Sequence, residues 1–416
     1  MQILTDAINA ACETGDAESG TIQRALQAVR THLGMEVAYL SEFVGNESIF
    51  RVVDAPGLEQ LIKPGDARSL DDVYCQHILA GRLPQLIPDT SKEPICQSMP
   101  ITAAVPIGAH VSIPIILPNG EPYGMFCCLS PQANASLNAR DLNVVRLFAD
   151  VAAHQIGRQV ADRNEVADKK ALIAGIIAGR EFKLVFQPII NFRTGEVRGY
   201  EALCRFESLP YRSPDIWIND AKAAGLGVEL ELAIIDRAFE VWVDGPPNTY
   251  IAFNASPTAL CDPRFLTLVD GRDLSSVVFE ITEHTAVEDY AALNAQLNHL
   301  RAQGAKIAID DAGAGFSSLR HIVQLAPDFI KLDMALTRDI DSDPSRRAFA
   351  SAFVYFAHET GAEIVAEGIE TDAELQTLYA LGINVGQGYY LSRPLERDAV
   401  TPASLGYGSA VSAARF

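Results

Sequence analysis

No run of about 18 or more uninterrupted apolar residues occurs in this chain, so no membrane-spanning helix is expected. The first residues, Met-Gln-Ile-Leu-Thr-Asp, lack the basic start and apolar stretch of a secretory leader. Cysteine is sparse and unpatterned. The seven cysteines are odd in number and scattered, with no CxxC spacing, which points to free thiols and a cytoplasmic location. Basic residues are also few. With 33 Lys and Arg against 53 Asp and Glu, the net charge of −20 argues against broad nucleic-acid binding, which relies on cations at phosphates. It leaves room for one small anionic ligand held through metal ions. No internal repeat or low-complexity block is present.

Apolar residues are plentiful, at 48% of 416, enough for two domains with a sizeable core in each. The N-terminal region opens with a helical pattern over about 4–33, followed by strand-like runs at 35–43 and 48–53 and a helical stretch at 69–80. Val111 to Ile116 and Tyr123 to Leu129 flank Pro118-Asn119-Gly120-Glu121, and Asn-Gly between two such runs signals a hairpin. A central antiparallel sheet flanked by helices is expected. From Ala139 to Gly179 the pattern is helical, with Leu142, Val145, Ala149, Ala152 and Ile156 on one stripe. The stripe either pairs with its copy in a homodimer or covers the domain's own sheet. The expected domains are 1–160, a helical linker at 161–180, a second domain at 181–400 and a tail at 401–416.

Strands and helices alternate from about Glu181 to Pro394. Leu184 to Ile190 and Glu196 to Phe206 are joined only by a turn containing Thr194-Gly195, too short for a parallel crossover, so they must be antiparallel. The later strands are separated by helix-length segments and should run parallel. The expected fold class is α/β: a modified TIM-type barrel with one antiparallel strand, preceded by an α+β domain.

Polar ligand types end one apolar run after another. They are Glu201, Asn254, Glu280, Asp310 with Asp311, Lys331, Glu367 and Gln387. In a barrel the strand C-termini form the active-site face. Three carboxylates and an amide oxygen from Glu201, Asn254, Glu280 and Asp310 suit a hard cation, Mg²⁺ or Mn²⁺. Asp311 could reach a second ion, and two ions roughly 3.5–4 Å apart suit phosphodiester chemistry. Lys331 either orients and helps deprotonate a water or is a structural partner of the carboxylates. Arg205 either forks onto a substrate phosphate or forms a surface ion pair.

From Gln187-Pro188-Ile189 through Glu201-Ala202-Leu203 to Gln387-Gly388-Tyr389 and Arg393-Pro394, the chain resembles an EAL domain, the cyclic di-GMP phosphodiesterases. The resemblance covers about half of the chain. It implies metal ligands at Glu201, Asn254, Glu280, Asp310 and Asp311, and a catalytic role for Glu201. It implies a water-contacting lysine at Lys331, a water-holding glutamate at Glu367 and a loop-steadying glutamate at Glu283. It further implies substrate contacts at Gln187, Leu203, Arg205, Asp333, Glu370 and Gln387. The implied reaction is hydrolysis of cyclic di-GMP to linear pGpG with Mg²⁺ or Mn²⁺. The usual loop Asp-Asp-Phe-Gly-Thr-Gly-Tyr reads Asp310-Asp311-Ala312-Gly313-Ala314-Gly315-Phe316 here, a departure that bears on regulation. A receptor that binds cyclic di-GMP without cleaving it is the alternative. No GGDEF-like motif precedes the barrel, which sets diguanylate cyclase activity aside.

The order helix, strands, hairpin, helix over 17–160 resembles a GAF domain, which implies an unknown small-molecule signal and leaves open a cyclic nucleotide, a haem, no ligand at all or a role in dimerisation alone. Cys75-Gln76-His77 is not the adjacent Cys-His pair often used for bilins. Cys127 and Cys128 should point to opposite faces of a strand as buried core thiols.

Overall fold

The computed structural model describes residues 18–209, 211–243, 245–282, 287, 289–313 and 317–400. The expected start of the first helix, the 401–416 tail, Glu283 and Ala314 to Phe316 lie outside them. The chain divides into two compact units, Met1–Glu165 and Val166–Phe416.

In the first unit, helix α1 (Glu18–Leu33) precedes strands β1 (Val37–Val44), β2 (Glu47–Asp54) and β3 (Ala67–Ser69). Helix α2 (Tyr74–Leu79), β4 (Leu86–Ile87), α3 (Pro94–Ser98) and α4 (Pro100–Ala104) follow. The hairpin β5 (Ala109–Ile116) and β6 (Pro122–Ser130) leads into the long helix α5 (Ala139–Gly179). The strands form one antiparallel sheet in the order β3-β2-β1-β6-β5-β4. Gly120 makes the expected turn with φ +87°, a conformation that favours glycine.

Period-two alternation builds two apolar layers on this sheet. Ala38, Leu40, Val111, Ile113, Phe126 and Cys128 face α1 and the first half of α5. Val37, Tyr39, Met125 and Cys127 face the α2 side with Cys75 and Cys96. Cys127 and Cys128 are therefore buried on opposite faces, as free thiols. Val145, Ala149, Ala152 and Ile156 of α5 are consumed by the unit's own core, with Leu142 packed against it. A homodimer through α5 would need another face, where Leu147 and Val151 are exposed.

The second unit closes as an eight-stranded barrel. Its strands are β7 (Phe182–Asn191), β8 (Val197–Phe206), β9 (Tyr250–Asn254), β10 (Val277–Thr282), β11 (Lys306–Ala312), β12 (Phe329–Leu332), β13 (Glu363–Ala366) and β14 (Val385–Gly386). Strand β7 is antiparallel to both neighbours, β8 and β14, while β8 through β14 run parallel. A short ninth strand, β15 (Leu395–Glu396), pairs with β7 outside the barrel. This is the reversed-strand barrel expected from the short Thr194-Gly195 turn.

Two kinds of core sustain the barrel. A large apolar cluster lies between strands and outer helices, with Phe186, Tyr200, Phe253, Phe279, Ile309 and Leu332 among its members. A separate cluster of Ile189, Ala252, Val278, Ala308, Phe329, Val365 and Val385 takes one residue from each of seven strands and fills the interior. On β8 the corresponding place is Gly199, where a Cβ would come within 2.5 Å of the Tyr250 ring. Tyr250 occupies that space and stacks on Phe329, with ring centroids 5.4 Å apart.

Beside the barrel mouth, Gly388 crosses the backbone of Ile369. A Cβ there would lie 2.2 Å from both the nitrogen and the oxygen of Ile369. Ile369 N–H donates to the Gln387 carbonyl and Tyr390 N–H donates to the Ile369 carbonyl, so this crossing is tied on both sides. We expect Gly388→Ala to lower stability by about 1–3 kcal/mol through overpacking. Thermal denaturation checks this, and an unchanged midpoint would show that the crossing yields freely.

Candidate active site

Two residues beyond each interior apolar position stands a polar one. Ala252 leads to Asn254, Val278 to Glu280, Ala308 to Asp310, Phe329 to Lys331, Val365 to Glu367 and Val385 to Gln387. Gly199 leads to Glu201, and on the reversed strand Gln187 lies two residues before Ile189. Because alternate strand residues share a face, the sequence that fills the barrel also aims this polar ring at its mouth. Gln187 pairs in register with Glu201, and Asn254 with Glu280.

Lys331 is the centre of the ring. Its side chain is 2% exposed, and Nζ lies 2.7 Å from Glu280 Oε2, 2.9 Å from Glu367 Oε1, 3.0 Å from Asp310 Oδ1 and 3.5 Å from Glu201 Oε2. Gln387 Nε2 donates to Glu201 Oε2 at 2.6 Å and to Glu367 Oε1 at 2.9 Å. Asn254 is exposed at the end of β9, with Nδ2 3.4 Å from Glu201 Oε1.

Burial alone would push the Lys331 ammonium down, but Asp310, Glu201, Glu280 and Glu367 outweigh it and hold the group well above its ordinary value. Lys331 is therefore a hydrogen-bond donor here. Glu280 and Glu367 are pushed the other way: burial raises both well above the carboxylate range, with neighbouring acids adding to it and Lys331 opposing it. One cation does not neutralise so many acids.

The donor set fits a hard cation. Ligand oxygens of Asp310, Asp311 and Glu367 lie within 4.8 Å of one another. Asp310 Oδ1 is buried and approaches Lys331 without hydrogen-bond geometry, so it retains acceptor capacity. Asp311 has φ +57°, unusual for a residue with a side chain. Glu367 thus lies near the two aspartates as well as against Lys331, which Glu201 and Glu280 also approach.

A cavity of about 820 Å³ opens at this end of the barrel, lined by Leu203, Arg205, Asn254, Asp310, Asp311 and Tyr389 among others. Its volume suits a ligand of nucleotide size. Arg205 Nη1 donates to the Cys204 carbonyl at 2.8 Å. Gln187 is buried, with Nε2 3.4 Å from the Ser392 carbonyl. Asp333 caps the Met334–Thr337 helix, accepting from Ala335 N–H at 2.7 Å. Glu370 is exposed and paired with Arg338. The latter three are not among the cavity's lining residues.

The sequence reading passed over Glu231, which lines the cavity from the Gly227–Val241 helix. It accepts from both the N–H and, at 2.7 Å, the Oγ of Ser256, two residues after Asn254. Burial raises its carboxyl pKa, opposed by the Ser256 hydrogen bonds. A carboxylate between Leu230 and Leu232, both buried, was the available signal.

The EAL domain model matches residues 169–394, more than half of the chain. The chain belongs to the EAL-domain family. A GAF domain match covers residues 19–156, the antiparallel-sheet unit. The chain is 32% identical over 225 residues to a cyclic di-GMP phosphodiesterase of Pseudomonas aeruginosa, covering 51% of this chain and 38% of that protein. It is 30% identical over 264 residues to a probable cyclic di-GMP phosphodiesterase of Escherichia coli, covering 60% of this chain and 51% of that one. The alignments with curated relatives thus span about a third to half of those proteins' lengths. A solved PaMucR phosphodiesterase, in complex with c-di-GMP, has a TM-score of 0.51 and 29% identity over 56% of this chain and all of that one. No helix among the described residues is long and apolar enough to cross a membrane.

The raised Glu280 and Glu367 values give this EAL barrel a distinctive pH dependence. Both groups bind protons more tightly folded than unfolded, so their contribution is fully present below the ordinary carboxylate pKa. It is lost as pH rises through their folded values. Exposed acids held low act oppositely and at lower pH: hydrogen bonds from Arg264 hold Asp262 at about 2. In EDTA-treated protein the thermal midpoint should therefore fall across the pH window above the ordinary carboxylate range. Added Mg²⁺ should flatten the slope. A midpoint that climbs across that window would sink this account.

Proposed function

We propose that the EAL barrel hydrolyses one phosphodiester of cyclic di-GMP to linear pGpG, using Mg²⁺ or Mn²⁺. The observation that carries this reading is the polar ring around Lys331 at the barrel mouth, three of whose members, Asn254, Asp310 and Asp311, also line a nucleotide-sized cavity. Glu201, Asn254, Glu280, Asp310 and Asp311 are the ligands we assign, with Glu367 close enough to Asp310 and Asp311 to join them. Two bound ions supply charge stabilisation for the attacking and leaving oxygens at phosphorus.

The chain's own residues do the rest. Lys331, held as an ammonium, orients the attacking water by donation and is not the base. Glu367, 2.9 Å from Lys331 Nζ, takes the water's proton as oxygen bonds to phosphorus, and the ribose oxygen whose bond to phosphorus breaks leaves as a hydroxyl of pGpG, protonated from solvent. Gln387 fixes Glu201 and Glu367 relative to each other. Arg205 and Leu203 receive the nucleotide from the cavity wall. Gln187, Asp333 and Glu370 complete the substrate contacts around the mouth, and Glu283 steadies the loop after Asp311. We further assign the GAF domain as the regulator of turnover in response to a small molecule, in a cytoplasmic homodimer.

The test is product analysis of cyclic di-GMP incubated with the full chain and Mg²⁺ or Mn²⁺. Wild type should yield linear pGpG. Glu201→Ala and Lys331→Met should each lose at least about 100-fold in turnover, the lower end of what a positioned catalytic group contributes. Nucleotide that is bound yet stays intact would make the chain a receptor and overturn the hydrolytic reading.

A further inference from the structure

The GAF unit contains its own cavity, of about 160 Å³, on the α2 side of the sheet. Its wall is apolar, with Tyr39, Phe50, Ile62, Val73, Ile107 and Leu129 among the lining side chains. Its polar groups are the Tyr39 and Tyr74 hydroxyls, the exposed Arg68 at the rim, and His110. His110, on β5, is 2% exposed, and its Nδ1 is buried with no hydrogen-bond partner. The ring stands edge-on to Tyr74, with centroids 5.1 Å apart and planes at 84°. The Tyr74 hydroxyl is already satisfied by Thr102 at 2.6 Å.

A buried polar atom without a hydrogen-bond partner is unfavourable, so it calls for a partner. Size narrows what that partner can be. An engineered apolar cavity of about 150 Å³ stays dry and takes up benzene. Ordinary cofactor and nucleotide sites are larger, about 300–1,000 Å³. Charge narrows it further. Arg68 is the only Lys or Arg on the wall and is exposed, so no buried cation is available for a phosphate.

We propose that this cavity binds a small neutral aromatic alcohol of the phenol class, its ring in the apolar wall and its hydroxyl on His110 Nδ1. A hydroxyl both donates and accepts, so it satisfies either imidazole tautomer. A cyclic nucleotide's phosphate or a haem's propionates would find no buried cation among the lining residues. The inference deepens the reading of the GAF domain as a small-molecule sensor. It is tested by binding without cyclic di-GMP, so it stands or falls separately from hydrolysis.

The experiment is calorimetric titration of the full chain with phenol, toluene and cAMP, backed by ¹⁹F NMR of 4-fluorophenol. Wild type should bind phenol in the micromolar-to-millimolar range and show no cAMP binding. His110→Leu should weaken phenol roughly tenfold or more, as loss of a buried partner predicts. It should leave toluene within about twofold, which also shows that the variant is folded. Ile62→Trp, which fills the cavity from its partly exposed rim, should abolish binding of both ligands and decides the matter if His110→Leu does not fold. The proposal is overturned if phenol fails to bind wild type at millimolar concentration. It is equally overturned if phenol binds His110→Leu or Ile62→Trp as it binds wild type, or if cAMP occupies the site.

Discussion

Everything at the barrel mouth depends on one buried ammonium. Lys331 stands within 3.5 Å of four carboxylates contributed by β8, β10, β11 and the residue after β13. Each of those acids would resist burial as an anion, and their mutual repulsion adds to the cost. The lysine offsets one charge and leaves the others to be balanced by protons or by cations. A ring of this composition is thus poised between being protonated and being loaded, and the barrel must be rigid enough to hold it that way.

That rigidity comes from the apolar set directly beneath. A barrel interior has no room for slack, and a shift of one residue in any strand would turn its polar residue outward and an apolar one into the mouth. Tyr250 on Phe329, fitted over Gly199, illustrates how tightly the interior is filled. Stability and site geometry are consequently encoded by the same alternation, and the acids need no separate scaffold.

Much of this was legible in the sequence because it is local. The Asn119-Gly120 hairpin, the span of α5 and the reversed strand before Glu201 follow from turn chemistry and loop length. Glu201, Glu280, Asp310, Lys331 and Glu367 announce themselves as ionisable residues at the ends of apolar runs. What was not legible is set by distance in three dimensions. Sequence spacing does not reveal that Glu367 groups with the aspartate pair, or that Glu231 holds Ser256. The α5 stripe was equally compatible with two partners, since amphipathicity states that a face is buried and not by what. Asp333 illustrates a different limit: an aspartate beside a strand end also serves well as a helix cap.

The reversal of β7 has a topological consequence. In an all-parallel barrel the chain enters at the floor, opposite the chemical face. Here the first strand starts at the mouth, so Phe182 lies beside Phe206, the last residue of β8, with ring centroids 6.2 Å apart. Ile173 and Ile176, near the end of the long helix, share a buried cluster with those two rings and Trp217. Arg205 is the immediate neighbour of Phe206. The covalent gateway into the barrel and its chemical rim are therefore one place: Arg205, on the wall of the nucleotide-sized cavity, is bonded directly to a residue that packs on the entering helix.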